Sequence, residues 1–342
     1  MGANTFGSRF QVTTFGESHG ASLGVLIDGC PAGVDFSADL LKKQLERRRP
    51  GQHAGTQQIV SGRMEKDEAE VLSGIFENKT LGTPIVIMVR NQDAKSEDYA
   101  NIKTAPRAGH ADDVWKSKFG HSDHRGGGRS SGRETVSRVM AGAIAQMLVQ
   151  KIYPQTKVIG YASQIGSYEL TANERTQVLS KDIDQFQARF PSDRHQEVAQ
   201  MLAKAQQEGQ SYGGVAEILI PKLVANLGQP VFHKIKSDLA QDFLSVGATN
   251  GFELGLGFTA SEQSGTSFHS ASSDGYGGIR GGISTGEDVV LRVSFKPTSS
   301  ILDVAKKGRH DPCIVTRAIP VLEAMTWLVL ADHILWSRTD QL

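Results

Sequence analysis

The chain has 342 residues, 39% of them apolar, with 37 basic and 37 acidic side chains and a formal net charge of zero. That supplies a substantial core, and it excludes the overall basic excess of a nucleic-acid binder or a membrane-surface protein. Two cysteines, Cys30 and Cys313, are too few for a disulfide scaffold and read as small buried hydrophobes.

Residues 1–11 carry no apolar signal-peptide core, so a soluble cytosolic protein is expected. No linker, repeat or low-complexity tract interrupts the chain, which predicts one domain over residues 1–342. Residues 10–15 and 23–27 alternate as strands do, with Gly16-Glu17-Ser18-His19-Gly20 turning between them. Ser37 caps a predicted helix running to Arg49 and stopped by Pro50. Leu41 and Leu45 define its apolar side, and Arg48, seven positions after Leu41, points the same way. Residues 84–89 read as a buried strand.

The densest signal is Gly120-His121-Ser122-Asp123-His124-Arg125-Gly126-Gly127-Gly128-Arg129-Ser130-Ser131-Gly132-Arg133-Glu134. Glycines let backbone approach a ligand, and a helix start presents free N–H groups, so the stretch suits a phosphate. The helix behind it spans about 136–151. Val136, Val139, Met140, Ala143, Ile144 and Met147 form one apolar face. Ser131 with Glu134 fits a capping box. Arg133 in the first turn opposes the helix dipole, and a bound anion would explain it. Residues 194–208 read as an amphipathic helix ending at Gly209, 215–220 as a strand, and Ser237 as the start of a further helix. Ten glycines between 250 and 287 predict loop with short hairpins. A strand over 289–295 enters the turn Lys296-Pro297-Thr298-Ser299-Ser300. The last helix, 314–335, carries Arg317, Pro320, Glu323, Asp332 and His333, which suits a core helix rather than a membrane span. Strands and helices do not alternate strictly. The expected class is therefore a mixed α/β layer architecture of the α+β type, not a doubly wound parallel sheet.

Four loops combine His, Arg or Lys with glycine or hydroxyl groups: residues 16–20, 107–113, 121–134 and 296–311. Turns are rich in Gly, Ser and Asp anyway, but four such loops in a neutral chain point to a shared anionic ligand. His19, beside Ser18, suits a general acid, the alternative being a solvated turn histidine. His110 has Asp112 and Asp113 nearby as orienting groups or as mere surface neighbours. Asp311, beside Arg309 and His310, is either an acid–base group or a helix N-terminal acid. Ser131 reads as a cap, which leaves Ser130 freer for a ligand. The segment Lys296 to Ser300 offers one amine and three hydroxyls for a second phosphate or a polar cofactor. No Walker-type loop, dinucleotide fingerprint, zinc spacing or nucleophile elbow is present. What remains is an enzyme holding two phosphate-bearing ligands, with histidines for proton transfer.

Gly16-Glu17-Ser18-His19-Gly20 with Asp28-Gly29-Cys30-Pro31, Gly126-Gly127-Gly128-Arg129-Ser130-Ser131-Gly132-Arg133-Glu134-Thr135, and Gly308-Arg309-His310-Asp311-Pro312-Cys313 resemble the three signatures of the chorismate synthase family. Arg47-Arg48-Arg49-Pro50-Gly51, Gly109-His110-Ala111-Asp112, Gly281-Gly282-Ile283-Ser284 and Lys296-Pro297-Thr298-Ser299-Ser300 match it in the same order. The resemblance implies anti-1,4-elimination of phosphate from 5-enolpyruvylshikimate 3-phosphate, with reduced FMN required and no net redox change. It implies a β-α-β sandwich with helices layered between antiparallel sheets, a cytoplasmic homotetramer, and no nucleic-acid or membrane partner. It gives His19, His110, Asp311, Ser18 and Ser130 catalytic roles. Arg129, Ser130, Ser131, Gly247, Ala248, Gly281, Lys296, Pro297, Thr298, Ser299, Ser300 and Arg309 would line the flavin. Arg48, Arg107 and Arg133 would hold substrate anions or NADP, NADPH being a candidate reductant. The chain departs from the pattern at Ala54, where a second basic residue is frequent, at Ala108, and at Gly247, which replaces an asparagine.

Overall fold

The computed structural model describes residues 2–49, 67–91, 109–123, 125–270, 275–299, 301–302 and 311–341. The N-terminal part folds into an antiparallel sheet. Its strands are β1 (Thr5–Phe6), β2 (Gln11–Phe15), β3 (Ser22–Asp28), β4 (Ala69–Ser73) and β7 (Ile85–Arg90), in the order β1-β2-β3-β7-β4. Between β4 and β7, β5 (Ile75–Phe76) and β6 (Lys79–Thr80) form a separate hairpin. Period-two burial drives the assembly. Ile85, Ile87 and Val89 of β7 are buried beside Leu23, Val25 and Ile27 of β3.

The second sheet is also antiparallel, in the order β11-β14-β10-β8-β9. Its members are β8 (Ile159–Ile165), β9 (Tyr168–Glu169), β10 (Gly214–Ile220), β11 (Thr249–Leu254) and β14 (Val289–Phe295). Val289, Leu291, Val293 and Phe295 alternate into the core. A small hairpin joins β12 (Ile279–Arg280) to β13 (Ile283–Ser284).

The helices are α1 (Ala38–Arg48), α2 (Asp112–Phe119), α3 (Thr135–Ile152), α4 (Ala172–Thr176), α5 (His195–Glu208), α6 (Ile235–Leu244), α7 (Gly265–Phe268) and α8 (Val315–Ser337). The helix α3 packs on β2, β3 and β7, α8 packs on β8 and β10, and the two helices pack on each other. The layers therefore run sheet, helices, sheet, which is the sandwich expected from the resemblance. Small residues make the central crossing close. A Cβ on Gly142 would sit 2.5 Å from the Cβ of Ala324. By length and composition α8 suffices to cross a membrane, yet 94% of its most apolar window is buried inside the protein. It is a core helix.

Several local expectations change. The helix α3 is buried all round, not on one face: Ser137, Ala141 and Ala145 are as enclosed as Val136 and Ile144, because both a sheet and α8 cover it. The capping box does not form. Ser131 Oγ accepts from Arg133 N at 3.3 Å and caps a 3-10 turn, Gly132–Glu134, while Glu134 pairs with Arg138 at 3.1 Å. The helix α6 begins at Ile235, two residues before Ser237. The glycine-rich stretch yields β11, an edge strand that absorbs Gly251 at a register shift against β14. Other boundaries match closely. Ser37 Oγ accepts from Leu40 N at 3.1 Å, and Leu41, Leu45 and Arg48 are buried together.

Two polar ties aim these layers at the site. Asp332 of α8 accepts N–H bonds from Ser8 (2.9 Å), Arg9 and Phe10 (2.8 Å), pinning the N-terminal segment. Arg47 joins α1 to Glu323 of α8 and to Asp184.

Candidate active site

A cavity of about 740 Å³ opens among β1, β2, the start of α3, the loop after α6, the turn after β14, and the first turns of α8. That is the scale of small-molecule and cofactor sites. Its lining includes the apolar Phe6, Val12, Ile314, Ala318, Val321, Met325 and Leu328. It also carries Arg48, Arg129, Arg133, Arg138, Lys296 and Arg317, against only Glu134 and Asp311 among its acids. The excess of cations favours anionic groups in the cavity.

The glycine-rich loop forms the rim. Gly126, Gly127 and Gly128 lie at φ 61°, 85° and 53°. Three successive left-handed residues need glycine, and the fold takes the chain tightly around His19. A Cβ on Gly126 would lie 2.3 Å from His19 Cδ2 and 2.8 Å from Ser18 Oγ. Ser18 is buried, and its N–H donates to Gly128 O at 3.3 Å. Ser18 and His19 are thus backed onto Gly126, itself a lining residue. Arg129 is held by the end of β2: Nη2 donates to Thr14 Oγ1 at 2.6 Å and Nη1 to Gly16 O at 3.1 Å. Ser130 Oγ donates to Gly127 O at 2.7 Å.

His110 is oriented. Its Nδ1 lies 2.8 Å from Asp112 Oδ1; an ionised carboxylate only accepts, so Nδ1 carries the proton in this contact. Lys296 Nζ donates to Gly109 O at 3.3 Å, which ties the turn after β14 to the His110 segment. Thr298 Oγ1 donates to Asp311 O at 3.1 Å, and Arg317 Nη1 grips Asp311 Oδ2 at 2.8 Å.

The anion expected at Arg133 is a side chain of the protein. Asp67, buried, takes Arg133 Nη1 on Oδ1 and Arg48 Nη1 on Oδ2, the latter at 3.2 Å. Arg133 also donates to Asn91 Oδ1 at 3.3 Å, and Asn91 Nδ2 holds Ser18 O at 3.2 Å and Gly20 O at 2.8 Å. Arg48 donates further to Thr135 Oγ1 (3.0 Å) and Gly132 O (3.1 Å). Both arginines also line the cavity.

The structure therefore brings Arg48, His110, Arg129, Ser130, Ser131, Arg133, Gly247, Ala248, Lys296, Pro297, Thr298, Ser299 and Asp311 to one cavity. Ser18, His19 and Gly281 are not among its lining residues: Ser18 and His19 lie behind Gly126, and Gly281 turns the β12–β13 hairpin at φ 62°. Arg107, Ser300 and Arg309 lie outside the described residues, as does Ala54. Sequence pattern alone does not single out Trp115, Arg138, Gln241, Ser245 or the cavity side of Arg317. The one available signal is that Arg138 is the only charged residue in an otherwise uncharged run from Thr135 to Gln150.

The family model described as chorismate synthase matches residues 10–335. A chorismate synthase of Bdellovibrio bacteriovorus is 74% identical over 342 residues, covering 100% of both chains. That of Trichodesmium erythraeum is 41% identical, over 97% of this chain and 95% of its own length. A crystal structure of chorismate synthase superposes with a TM-score of 0.77 at 28% identity, covering 97% of this chain and 93% of that one.

Proposed function

Since the chain belongs to the chorismate synthase family, lyases that make chorismate in the shikimate pathway, we propose that its 740 Å³ cavity holds 5-enolpyruvylshikimate 3-phosphate together with reduced FMN. The reaction breaks the C–O bond to phosphate and removes a ring proton, and the electrons left behind complete the new double bond. The observation that carries the proposal is the convergence of six cationic side chains and a set of apolar ones on one cavity. The apolar residues suit the flavin ring, and the cations suit two phosphate-bearing ligands. Reduced flavin, when bound, supplies electron density to the allylic system as the C–O bond breaks.

The chain's own residues then have distinct tasks. Arg48 and Arg133, braced by Asp67, and Arg129, braced by β2, present fixed positive charge to the departing phosphate. His19, backed by Ser18 against Gly126, gives that phosphate a proton. His110, oriented by Asp112, stands at the flavin. Asp311, held by Arg317, takes part in removing the ring proton, with Ser130 of the same cavity in support. Ser131, Gly247, Ala248 and the turn from Lys296 through Pro297 and Thr298 to Ser299 line the cofactor. Arg107, Ser300 and Arg309 join them by resemblance. The proposal takes 1–342 as one domain, supported by the α3–α8 contact that joins the two sheets. A cytoplasmic homotetramer using flavin reduced elsewhere completes it.

Equilibrium titration tests the cavity assignment. In the presence of substrate, oxidised FMN fluorescence should quench with a stoichiometry of one per chain. Absence of saturable binding would remove the basis for the proposal.

A further inference from the structure

Arg138 has been counted only as one of six cations at the cavity, with no task of its own, and its surroundings are unusual. It projects from the first turns of α3, lines the cavity, and is held at both ends of its guanidinium. Nε donates to Glu134 at 3.1 Å, Nη1 to Ser245 Oγ at 2.6 Å, and Nη2 to Ser245 O at 3.1 Å; Met325 Sδ lies 3.9 Å from Nη1. A guanidinium has more N–H donors than these contacts use, so one Nη2 donor has no acceptor among the described residues. Directly behind, in α6, Asp242 is completely enclosed, and neither of its carboxylate oxygens has a hydrogen-bond partner among the described residues. Burial, opposed by Arg138 and reinforced by Asp238, pushes the Asp242 carboxyl well above the usual range. Asp242 therefore sits beside an arginine without capturing it. Ser245, by contrast, is anchored by its own bond to Asp242 O at 2.6 Å and holds the guanidinium at the cavity wall.

We propose that Arg138 is a preorganised contact for an anionic phosphate oxygen of a ligand in the cavity, fixed in place by Glu134 and Ser245 while Asp242 behind it makes no hydrogen bond to it. A tether between α3 and α6 would need no charge in so apolar a helix, and a planar donor fork clamped on two sides is what phosphate recognition requires. The phosphate belongs either to the flavin or to the substrate. The inference rests on the cavity being the ligand site, and the wild-type titration checks that separately.

The experiment uses the full chain and the variants Arg138→Met, Arg138→Lys and Asp242→Asn, with thermal melts to establish folding. Each is titrated with oxidised FMN and with riboflavin, and KM for 5-enolpyruvylshikimate 3-phosphate is measured at saturating reduced FMN. Loss of a charge-assisted bond predicts about ten- to a hundredfold weaker binding in Arg138→Met. If the flavin phosphate is the partner, FMN weakens and riboflavin does not. If the substrate phosphate is the partner, KM rises and FMN binding holds. Arg138→Lys should recover part of either loss. Asp242→Asn, a neutral isostere, should stay within about twofold of wild type. Unchanged FMN affinity and KM in a folded Arg138→Met overturn the proposal, as does equal weakening of FMN and riboflavin. A roughly tenfold gain in Asp242→Asn would also overturn it, because it would reveal an ionised Asp242 competing for the arginine.

Discussion

Gly126→Ala perturbs the site at a single point that the structure defines. Gly126 lies at φ 61°, and a Cβ there would meet His19 Cδ2 at 2.3 Å, His19 Nε2 at 2.6 Å and Ser18 Oγ at 2.8 Å. Two costs combine. A left-handed alanine costs about 1–2 kcal/mol, and the collision must move His19, Ser18 or the loop. Gly120→Ala separates them. Gly120 ends α2 at φ 69°, and a Cβ there meets nothing within 4 Å. It carries the backbone strain without the collision. Urea unfolding should show Gly120→Ala destabilised by about 1–2 kcal/mol and Gly126→Ala by more. Anaerobic chorismate formation should fall by at least roughly tenfold in Gly126→Ala, since a placed general acid contributes on the order of 10²–10⁴ in rate. Gly120→Ala should keep kcat. A folded Gly126→Ala with wild-type kcat would refute the placement of His19 and Ser18 at the reacting centre.

Three further outcomes follow from the packing. Asp67→Asn leaves Arg48 and Arg133 buried without their shared counter-charge and should cost about 3–5 kcal/mol in urea unfolding; a loss under about 1 kcal/mol would show the pair to be solvated instead. Gly142→Ala should destabilise by about 1–3 kcal/mol because its Cβ strikes Ala324, although helix propensity alone favours alanine by about 1 kcal/mol; the sign of the change decides which effect wins. Burial pushes the Cys30 and Cys313 thiols up to about 12. Thiolate reagents at pH 8 should therefore label neither cysteine in the native protein and both after unfolding; rapid native labelling would contradict their enclosure.

Local chemistry was readable in the sequence, and long-range pairing was not. Ser37 announces the start of α1 because a cap is a contact within three residues. Three strands of the first sheet, β2, β3 and β7, and three of the loops that meet at the cavity were visible as alternation and as glycine next to cation, while β1 and β4 were not. The anion that answers Arg133 is Asp67, 66 residues away in sequence, and no local pattern announces such a partner. The all-round burial of α3 was hidden because its large apolar residues keep the spacing of a one-faced helix while Ala141, Gly142 and Ala145 fill the remaining sides. The strand β11 was hidden by its glycine, tolerated at a register shift on a sheet edge. Arg138 and Arg317 escaped notice because a charge on a helix ordinarily marks a solvated face, and only the fold turns these two toward a cavity.

The central claim is that this cavity eliminates phosphate with the help of reduced flavin. Anaerobic release of phosphate from 5-enolpyruvylshikimate 3-phosphate, with and without photoreduced FMN, tests it most directly. The account predicts phosphate and chorismate in equal amounts with the flavin, and neither without it. Equal release in both arms, or none in either from a folded protein, would contradict it.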